Sequence, residues 1–392
     1  MIGEVQGREI EAVTPSKEVV DVINGEGGEN LRSCYQCGLC TAACPWNRVR
    51  NFSVREIVHQ AQLGVIDFED DDIWICTGCR ACSVRCPRSV EMVDMMRALR
   101  RVIVEVGAGK VPNSLRLVAK NLSGVGNPFG EPTEKRMDWA KDLGVKAFTP
   151  ETELLYFPCC IQAYDRRMQR VARAVVNILQ KAEVDFGILG AEQFCCGESI
   201  RKAGCESVFQ NLARNNIDVF KKAGVKKVLV STPHCYYTFK LEYPELGGDF
   251  EVVHLSQYLN QLIKQGRIKF SKGLNRKVTY HDPCCLGRSA GVYDDPRQVL
   301  QSIPGLEFVE MSECRENSLC CGGGCAGRIW VDTKKGERFS DIRMAQAIDT
   351  GASILAVTCP YCMLNLEDSV LTSNKGDNIK IRDIAELVQK AM

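Results

Sequence analysis

The eight residues SLCCGGGC, from Ser318 to Cys325, place two adjacent cysteines directly before three glycines. The neighbouring thiolates of Cys320 and Cys321 cannot both bind one tetrahedral metal ion without strain, whereas a polynuclear cluster accommodates them. Glycines allow the backbone to approach such a cluster closely. The glycines predicted to lie against the cofactor are Gly322, Gly323 and Gly324.

Two further motifs complete this group of thiols. Asp282-Pro283-Cys284 precedes the stretch and Cys359-Pro360-Tyr361-Cys362 follows it. We expect one iron–sulfur cluster on these five cysteines: Cys284, Cys320, Cys321, Cys359 and Cys362. His281 lies beside the first of them and is the candidate catalytic residue. It is expected either to supply a proton at the site or to donate a hydrogen bond to cluster sulfur.

The composition is unusual only in its cysteines, of which there are 22 in 392 residues. A length of this order predicts two or three domains. Lys plus Arg numbers 50 against 49 for Asp plus Glu, a balance that does not favour nucleic-acid binding. Neither a signal peptide nor a membrane-spanning apolar run is expected, so we predict a cytoplasmic protein, membrane-associated at most through a partner subunit. Thiols in that compartment are typically metal ligands rather than disulfides.

The N-terminal region contains the pattern Cys-x2-Cys-x2-Cys-x3-Cys-Pro twice, beginning at Cys34 and at Cys76. This spacing is typical of bacterial ferredoxins with two [4Fe–4S] cubes, in which the fourth cysteine of each run binds the other cluster. The alternative, a pair of structural zinc sites, does not account for the three-residue rhythm. The first cube is expected on Cys34, Cys37, Cys40 and Cys86, and the second on Cys76, Cys79, Cys82 and Cys44.

The arrangement of apolar residues predicts the fold around these motifs. Helical periodicity covers Ser53–Leu63 and Glu91–Val106, and the methionines of the second helix are expected to pack against the cubes. The segment 107–150 is rich in Gly and Pro and is predicted to be a linker. The expected domains are a lead-in with a short helix at 1–30, a ferredoxin-like domain at 31–106, and two cysteine-rich domains at 151–275 and 276–392.

From residue 151 onward, short apolar runs alternate with helical patterns, an order that predicts right-handed crossovers and parallel sheets. The expected fold class is α+β multidomain: an α-helical ferredoxin-like domain followed by two repeated α/β domains with small parallel sheets. The predicted strands are Leu154–Phe157, Phe186–Leu189 and Lys227–Ser231, followed by Lys277–His281, Leu306–Glu310 and Ser353–Thr358. Their carboxyl ends are expected to bring the cysteine motifs together in a crevice.

The two α/β halves repeat their cysteine motifs with one informative difference. Thr232 stands in the first half where the second half has the first thiol of its Cys-x-x-Cys. The thiols that remain in the first half are Cys160 (or Cys159), Cys195, Cys196 and Cys235. A further iron–sulfur cluster, a zinc ion and an empty remnant are all compatible with this set. Cys205, Cys285, Cys314 and Cys325 fall outside the repeated motifs and are expected to be buried small side chains, with Cys325 the least certain of them.

From Cys34 to the C-terminus the chain resembles the HdrD-type family of heterodisulfide reductase subunits. Its members join a two-cluster ferredoxin-like module to two cysteine-rich (CCG) domains. The resemblance rests on the ferredoxin runs, on Cys195-Cys196-Gly197, on His281–Cys284, on Arg315–Gly324 and on Cys359–Cys362. It implies that the C-terminal five thiols bind a noncubane [4Fe–4S] cluster, which reduces a disulfide as electrons arrive. The resemblance is closest to the cytoplasmic subunits of sulfate-reducer membrane complexes.

Two functions follow as hypotheses. The first is the iron–sulfur subunit of an anaerobic redox complex, which reduces a disulfide or oxidises thiols at the noncubane cluster. The second is a pure electron-transfer subunit that serves a partner oxidoreductase, of the benzoyl-CoA reductase, sulfite-reduction or glycolate oxidase type. Neither a flavin nor an NAD fingerprint is found in the sequence, so a flavoprotein, a ferredoxin or a membrane cytochrome subunit is expected to supply or accept electrons within a hetero-oligomeric complex.

Overall fold

A computed structural model describes residues 14–324, 338–373 and 379–392 of the chain. The N-terminal part is helical, as predicted. Ser53 begins the helix over the first predicted segment by accepting a hydrogen bond from the backbone N–H of Glu56, and Gly64 ends it with a left-handed backbone. The helices of this part are α1 (Lys17–Ile23), α2 (Leu39–Ala43), α3 (Val54–Leu63), α4 (Asp72–Ile75) and α5 (Met92–Arg101).

Helix α5 carries the predicted methionine stripe. Met92, Met95 and Met96 are all buried, and the helix continues as a π-helical turn over Val102–Val106. The lead-in contains α1 and a π-helical turn over Asn24–Gly28, while residues 1–13 of that segment lie outside the described ranges. Burial of one face of α5 thus anchors the cysteine runs to a helical scaffold.

The segment 107–150, predicted to be a linker, carries more structure than its Gly and Pro content indicates. It contains helix α6 (Asn113–Val125) and a 3₁₀ segment over Thr133–Ala140. Leu115, Val118 and Leu122 give α6 a buried face at helical spacing. The glycines that suggested a loop include Gly126, which ends the helix with φ +66°. This segment packs against the first α/β unit.

The first α/β unit contains a four-stranded parallel sheet. Its strands are β1 (Leu154–Phe157), β2 (Phe186–Gly187), β3 (Lys227–Val230) and β4 (Glu251–His254), in the order β2-β1-β3-β4. Its helices are α7 (Cys160–Tyr164), α8 (Arg166–Lys181), α9 (Glu198–Lys202), α10 (Glu206–Lys222), α11 (Pro233–Tyr237) and α12 (Leu255–Lys264). The register pairs Leu155 with Val228.

The second α/β unit repeats this topology. Its strands are β5 (Arg276–Tyr280), β6 (Leu306–Val309), β7 (Ile354–Val357) and β8 (Lys380–Asp383), in the order β6-β5-β7-β8 and all parallel. Its helices are α13 (Asp294–Gln301), α14 (Phe339–Asp349), α15 (Pro360–Thr372) and α16 (Ile384–Ala391). The predicted fold class, with two small parallel sheets after a helical module, is therefore confirmed.

Two edge strands, β4 and β8, were not predicted. Both are short and carry charged residues, such as Glu251 and Lys380, which mask the apolar pattern of a strand. The helices predicted in this part, Arg167–Gln180, Ser207–Ala223, Ser256–Lys264, Phe339–Ile348 and Asp383–Ala391, did not include α13 or α15. Helix α15 begins at Pro360, inside a cysteine motif that was interpreted only as a metal site. The predicted strand over Phe186–Leu189 is shorter and comprises two residues.

Candidate metal centres

Two cavities in the helical N-terminal part separate the ferredoxin cysteines into two groups. Each cavity is lined by three cysteines of one run and the last cysteine of the other. One is lined by Cys34, Cys37, Cys40 and Cys86, and the other by Cys44, Cys76, Cys79 and Cys82. This is the division predicted from the spacing. Burial raises the pKa of the Cys44 and Cys82 thiols, which favours their protonated form when no metal ion is bound.

A buried arginine fixes the backbone that leads into the second run. Arg100, on α5, donates hydrogen bonds to the carbonyls of Ile73 at 2.9 Å, Trp74 at 3.2 Å and Cys76 at 2.9 Å. It also reaches the carbonyl of Lys202 in the first α/β unit, at 3.0 Å. A cation beside a thiolate-bound cluster compensates its negative charge and tunes its potential. The helical pattern of α5 gave no signal for this role.

The five C-terminal thiols converge, as predicted, where strands β5 and β7 end. All five are buried. The Sγ atoms of Cys321 and Cys362 are 3.2 Å apart. Further thiol interactions join Cys320 to both Cys284 and Cys321, and Cys362 to Cys359. These contacts link all five cysteines in one continuous chain. Several donors converge on Cys321, and its neighbours Cys320 and Cys362 hold the pKa of its thiol well below the ordinary value.

The glycines after Cys321 allow the loop to pass close to this group. Gly322 has φ +76°, a conformation that disfavours side chains. A Cβ atom at Gly323 would lie 2.7 Å from the carbonyl oxygen of Tyr361. Gly324 has φ +103°, and Cys325 lies outside the described residues. The loop therefore depends on the absence of side chains, as the sequence suggested.

His281 is buried at the end of β5 and is oriented by Arg343. The Arg343 Nε–H donates to Nδ1 of His281 at 3.1 Å, which leaves the neutral ring with its proton on Nε2. A ring nitrogen of His281 lies within 4.8 Å of the sulfurs of Cys321 and Cys362, and the side chain interacts with Cys321. Burial lowers the pKa of His281, and the adjacent Cys321 partly opposes this shift. The ring is thus a neutral N–H donor aimed at the thiol group.

An ion-pair network holds the turn that presents Cys284. Both carboxylate oxygens of Asp282 accept hydrogen bonds from Arg297, at 2.7 and 2.9 Å, and Arg297 also pairs with Glu310. The backbone N–H of Arg315 donates to the same carboxylate at 2.7 Å. The Asp-Pro-Cys motif therefore has a structural reason for its aspartate, which the sequence interpretation left unexplained.

The second ferredoxin cavity adjoins the C-terminal thiol group. The thiols of Cys79 and Cys320 lie close enough for each to shift the pKa of the other. Arg288 spans the same junction, because its Nε–H donates to the carbonyl of Cys79 and its Nη1 to the carbonyl of Ser318, each at 2.6 Å. One ligand of the second predicted cube thus contacts one ligand of the predicted noncubane cluster. Sequence reasoning did not identify Arg288.

The first α/β unit also assembles a thiol group, at the ends of β1 and β3. It includes the four predicted cysteines and also Cys159, whose thiol contacts that of Cys235. Cys196 and Cys235 have their sulfurs 3.5 Å apart, and Cys160 contacts Cys195. The guanidinium of Arg136 lies 3.4 Å from the Cys160 sulfur. The first half therefore gathers five thiols rather than four.

A polar cluster lies between the two thiol groups. His234 Nδ1 is 2.8 Å from a carboxylate oxygen of Glu198, whose other oxygen is 2.5 Å from the ammonium of Lys202. His234 also contacts Cys359, and together with Cys362 it lowers the Cys359 pKa to about 6 against the effect of burial. Cys285 faces Glu198 at 3.9 Å. Cys285 is therefore buried as predicted, but its surroundings are charged and not apolar.

The remaining cysteines are separate from these groups. Cys205 is buried at the start of α10, as expected, whereas Cys314 is only partly buried. None of the helices in the described ranges combines the length and apolarity that a bilayer crossing requires.

Comparison with known proteins matches both parts of the chain to families. The model of a 4Fe-4S dicluster domain matches residues 30–90, and that of a cysteine-rich domain (CCG) matches residues 154–240 and 278–367. The HdrD subunit of the dihydromethanophenazine:CoB–CoM heterodisulfide reductase of Methanosarcina mazei is 33% identical, over 92% of this chain and 94% of that protein.

Two longer relatives are more similar in sequence. The EtfAB:quinone oxidoreductase of Syntrophomonas wolfei is 37% identical over 82% of this chain, and the "Probable iron-sulfur-binding oxidoreductase FadF" of Bacillus subtilis is 35% identical over the same share. This chain spans 47% of the length of each of these two proteins.

Proposed function

The chain belongs to the HdrD-type family of heterodisulfide reductase subunits, and on that premise we propose that it is the iron–sulfur subunit of a redox complex that reduces a disulfide, or forms one, at the C-terminal thiol group. The observation that carries the proposal is the junction where Arg288 donates to the carbonyls of Cys79 and Ser318 and where the thiols of Cys79 and Cys320 lie close enough to shift each other's pKa. It joins a predicted ligand of the second cube to a predicted ligand of the C-terminal cluster, which suits delivery of electrons to that position.

The donor set fits a polynuclear cluster. It offers five buried thiols, two of them adjacent in sequence, and a loop that Gly322 and Gly323 keep free of side chains. The proposed ligands are Cys284, Cys320, Cys321, Cys359 and Cys362. When bound, iron–sulfur clusters carry single electrons, and iron at the C-terminal site acts as a Lewis acid toward a thiolate.

The chain's own residues have defined tasks in this proposal. Reduction of a disulfide consumes two electrons and two protons and yields two thiols, so the site must handle negative charge on sulfur. Arg343 holds His281 with its N–H on Nε2, directed toward Cys321 and Cys362. His234 plays a matching role beside Cys359. Both imidazoles stabilise negative charge on sulfur by hydrogen bonding, and His281 is the candidate to supply a proton to a product thiolate.

Electrons are proposed to enter at the first ferredoxin cavity. Cys37 is exposed there, in contrast to the buried thiols of the C-terminal group. Two apolar side chains beside it, Tyr35 and Leu39, are 59% and 47% exposed. Exposed aromatic and apolar side chains next to a cluster are typical of a docking surface for a redox partner. A flavoprotein, a ferredoxin or a membrane cytochrome subunit is the proposed partner.

A relay function is the second candidate. The cysteines of the C-terminal group are at most 6% exposed, which restricts access of a substrate. In this alternative, the C-terminal cluster passes electrons to a partner oxidoreductase and does not react with a substrate thiol or disulfide.

Turnover of small disulfides separates the two candidates. The full chain, purified without oxygen, would be mixed with a reduced viologen dye and a panel of alkyl and aromatic disulfides. Disulfide reduction predicts two dye molecules oxidised and two thiols released per disulfide. This activity should disappear in Cys321→Ala and persist in Cys205→Ala. The relay would be favoured if the dye is not oxidised by any disulfide but the chain still transfers electrons from the dye to a protein partner.

A further inference from the structure

We propose that the surface around the first ferredoxin cavity receives a small electron-carrier protein whose own redox centre is surrounded by carboxylates. This surface, the Cys37 surface, consists of five residues that line the cavity: Tyr35, Cys37, Leu39, Arg55 and Arg88. The inference rests on the proposed function, in which electrons enter here, and it adds the chemical character of the partner.

The Cys37 surface is open to solvent and includes apolar side chains. Cys37 is exposed, whereas Cys40, which lines the same cavity, is buried. Tyr35 and Leu39 are also exposed. Exposed apolar side chains beside a predicted cofactor ligand favour contact with another protein. A carrier that docks here would come directly against a predicted ligand of the first cube.

The loop between Cys34 and Cys37 is held in a fixed shape. Gln36 has φ +65°, a left-handed conformation that is unfavourable for a residue with a side chain. Its Nε2 group donates to Oε1 of Gln62 at 2.8 Å. The Nε2 group of Gln62 donates in turn to the carbonyls of Leu31 and Cys34, at 2.7 and 3.0 Å. The loop is therefore shaped before a partner arrives, which lowers the entropy lost on binding.

The two arginines of the Cys37 surface carry charge that the chain does not neutralise. Both are exposed, and neither Arg55 nor Arg88 has an ion-pair partner within the described residues. Other arginines of the ferredoxin-like domain are paired with carboxylates: Arg48 with Glu313, Arg50 with Asp72, Arg80 with Glu91, Arg97 with Asp94 and Arg101 with Glu206. Arg55 and Arg88 are therefore available to the carboxylates of another molecule.

The positive charge is local to this surface. The chain as a whole has a net charge of +1, and Asp and Glu are absent from the described residues that line the first cavity. Arg55 lies close to the loop, because its backbone N–H donates to the hydroxyl of Thr41 at 2.9 Å and a Cβ atom added at Gly38 would lie 3.7 Å from its Cδ. A carboxylate-rich partner would thus meet positive charge and apolar side chains on the same surface.

An acidic protein fits the Cys37 surface better than a lipid bilayer does. Basic segments that bind anionic lipid typically carry about four to eight Lys or Arg residues, whereas this surface has Arg55 and Arg88. A small apolar area with a few charges is typical of transient redox encounters, in which charge steers association and salt weakens it. Each encounter transfers one electron, so the carrier is oxidised and the chain is reduced by one electron.

Stopped-flow reduction of the oxygen-protected full chain tests the inference. The probe is a strongly acidic [2Fe–2S] ferredoxin, reduced beforehand, and the absorbance change gives its rate constant at several salt concentrations. The rate constant should fall as salt rises. Arg55→Glu combined with Arg88→Glu should lower it at least about 10-fold at low salt, with convergence at high salt. Arg116→Glu combined with Lys120→Glu makes the same charge change at exposed positions of α6 and should keep the original rate constant.

A reduced viologen dye, which is a cation, checks that the clusters of each variant remain able to accept electrons. It should reduce both double variants and the unmodified chain. A ferredoxin rate constant that is independent of salt, or unchanged by the Arg55 and Arg88 substitutions, would overturn the inference while the proposed function stands. Sedimentation with vesicles of equal parts phosphatidylcholine and phosphatidylglycerol, lost in that double variant, would assign the arginines to a membrane and also overturn it. A chain that the viologen cannot reduce would refute the proposed function itself and remove the premise of this inference.

Discussion

The imidazole of His234 packs against the phenol ring of Tyr361, with ring centroids 4.6 Å apart. The two residues hold equivalent positions in the repeated motifs Thr232–Cys235 and Cys359–Cys362. Each residue reaches the other half of the repeat. His234 contacts Cys359. Burial raises the pKa of the Tyr361 hydroxyl, and the nearby Cys159 of the first thiol group raises it further. The contact between these two rings therefore joins the two thiol groups across the repeat.

The hydrogen bond from His234 to Cys359 is expected to raise the reduction potential of the C-terminal cluster. His234→Phe keeps an aromatic ring against Tyr361 but removes the donor, so the reduction potential of the C-terminal cluster should fall. Turnover should fall about 10–100-fold, as for other partners of metal ligands. Redox titration followed by electron paramagnetic resonance measures the shift. Tyr361→Phe retains the ring contact and should leave the reduction potential unchanged. Equal potentials in the unmodified chain and in both variants would exclude the tuning role of His234.

The orientation of His281 predicts a specific loss in catalysis. His281→Phe removes the N–H directed at Cys321, and turnover should fall about 10–100-fold while the iron content is retained. Arg343→Lys keeps the imidazole but loses the hydrogen bond to Nδ1 that selects the tautomer, so a smaller loss is expected. Steady-state rates with iron analysis measure both effects. A His281→Phe variant with full activity and an unchanged cluster spectrum would disprove the role.

Arg288 is predicted to stabilise the junction of the ferredoxin part with the second α/β unit. Arg288→Met leaves the carbonyls of Cys79 and Ser318 without this donor, which should cost about 1–3 kcal/mol per buried acceptor. The urea concentration that bleaches half of the visible cluster absorbance in a fixed time measures the loss. Arg85→Met removes an exposed hydrogen bond to Asn317 across the same junction and should change stability by under about 0.5 kcal/mol. Equal urea sensitivity of the two variants would contradict the prediction.

Stability should fall in mild acid because of His254. Burial lowers the pKa of this imidazole to about 3, and Nδ1 accepts the backbone N–H of Ser256 at the start of α12. The unfolded chain, with an ordinary pKa of about 6.5, binds the proton more readily, so this contribution to stability is complete above pH ~6.5 and is lost progressively toward pH ~3. The loss attributable to His254 at pH 5 is about 2 kcal/mol.

Urea unfolding between pH 7 and pH 5 measures this dependence. His254→Gln removes the titrating group, so its stability should vary less with pH than that of the unmodified chain, even if it is lower at pH 7. His59→Gln changes an exposed histidine on α3 and should keep the original slope. Parallel slopes for all three proteins would show that His254 does not govern the acid response.

The sequence was sufficient for the parts of the account that depend on short-range spacing. The rhythm of the ferredoxin runs predicted the two sets of four cysteines that line separate cavities, and alternating patterns predicted the parallel sheets. The sequence could not predict how individual cysteine side chains are oriented. Whether Cys159 or Cys160 joins the first group depends on a backbone change between strand and helix, and both do.

The arginines around the sites were not predictable either. Arg100, Arg288 and Arg343 each act on backbone or imidazole groups far away in sequence, and an isolated arginine carries no signal of its partner. Arg100 and Arg288 act across the packing of the ferredoxin part against the α/β units, whereas Arg343 acts within the second α/β unit. The assignment of individual cysteines to each cluster remains a prediction.

Electron paramagnetic resonance of the oxidised protein in the presence of a thiol tests the central claim most directly. Protein enriched in iron-57 would be mixed without oxygen with small thiols of the proposed substrate class. The account predicts a new signal, broadened by iron-57, that is present in the unmodified chain and in Cys205→Ala and absent from Cys321→Ala. A protein with its full complement of iron that gives no new signal with any thiol would contradict direct thiol chemistry at the C-terminal group.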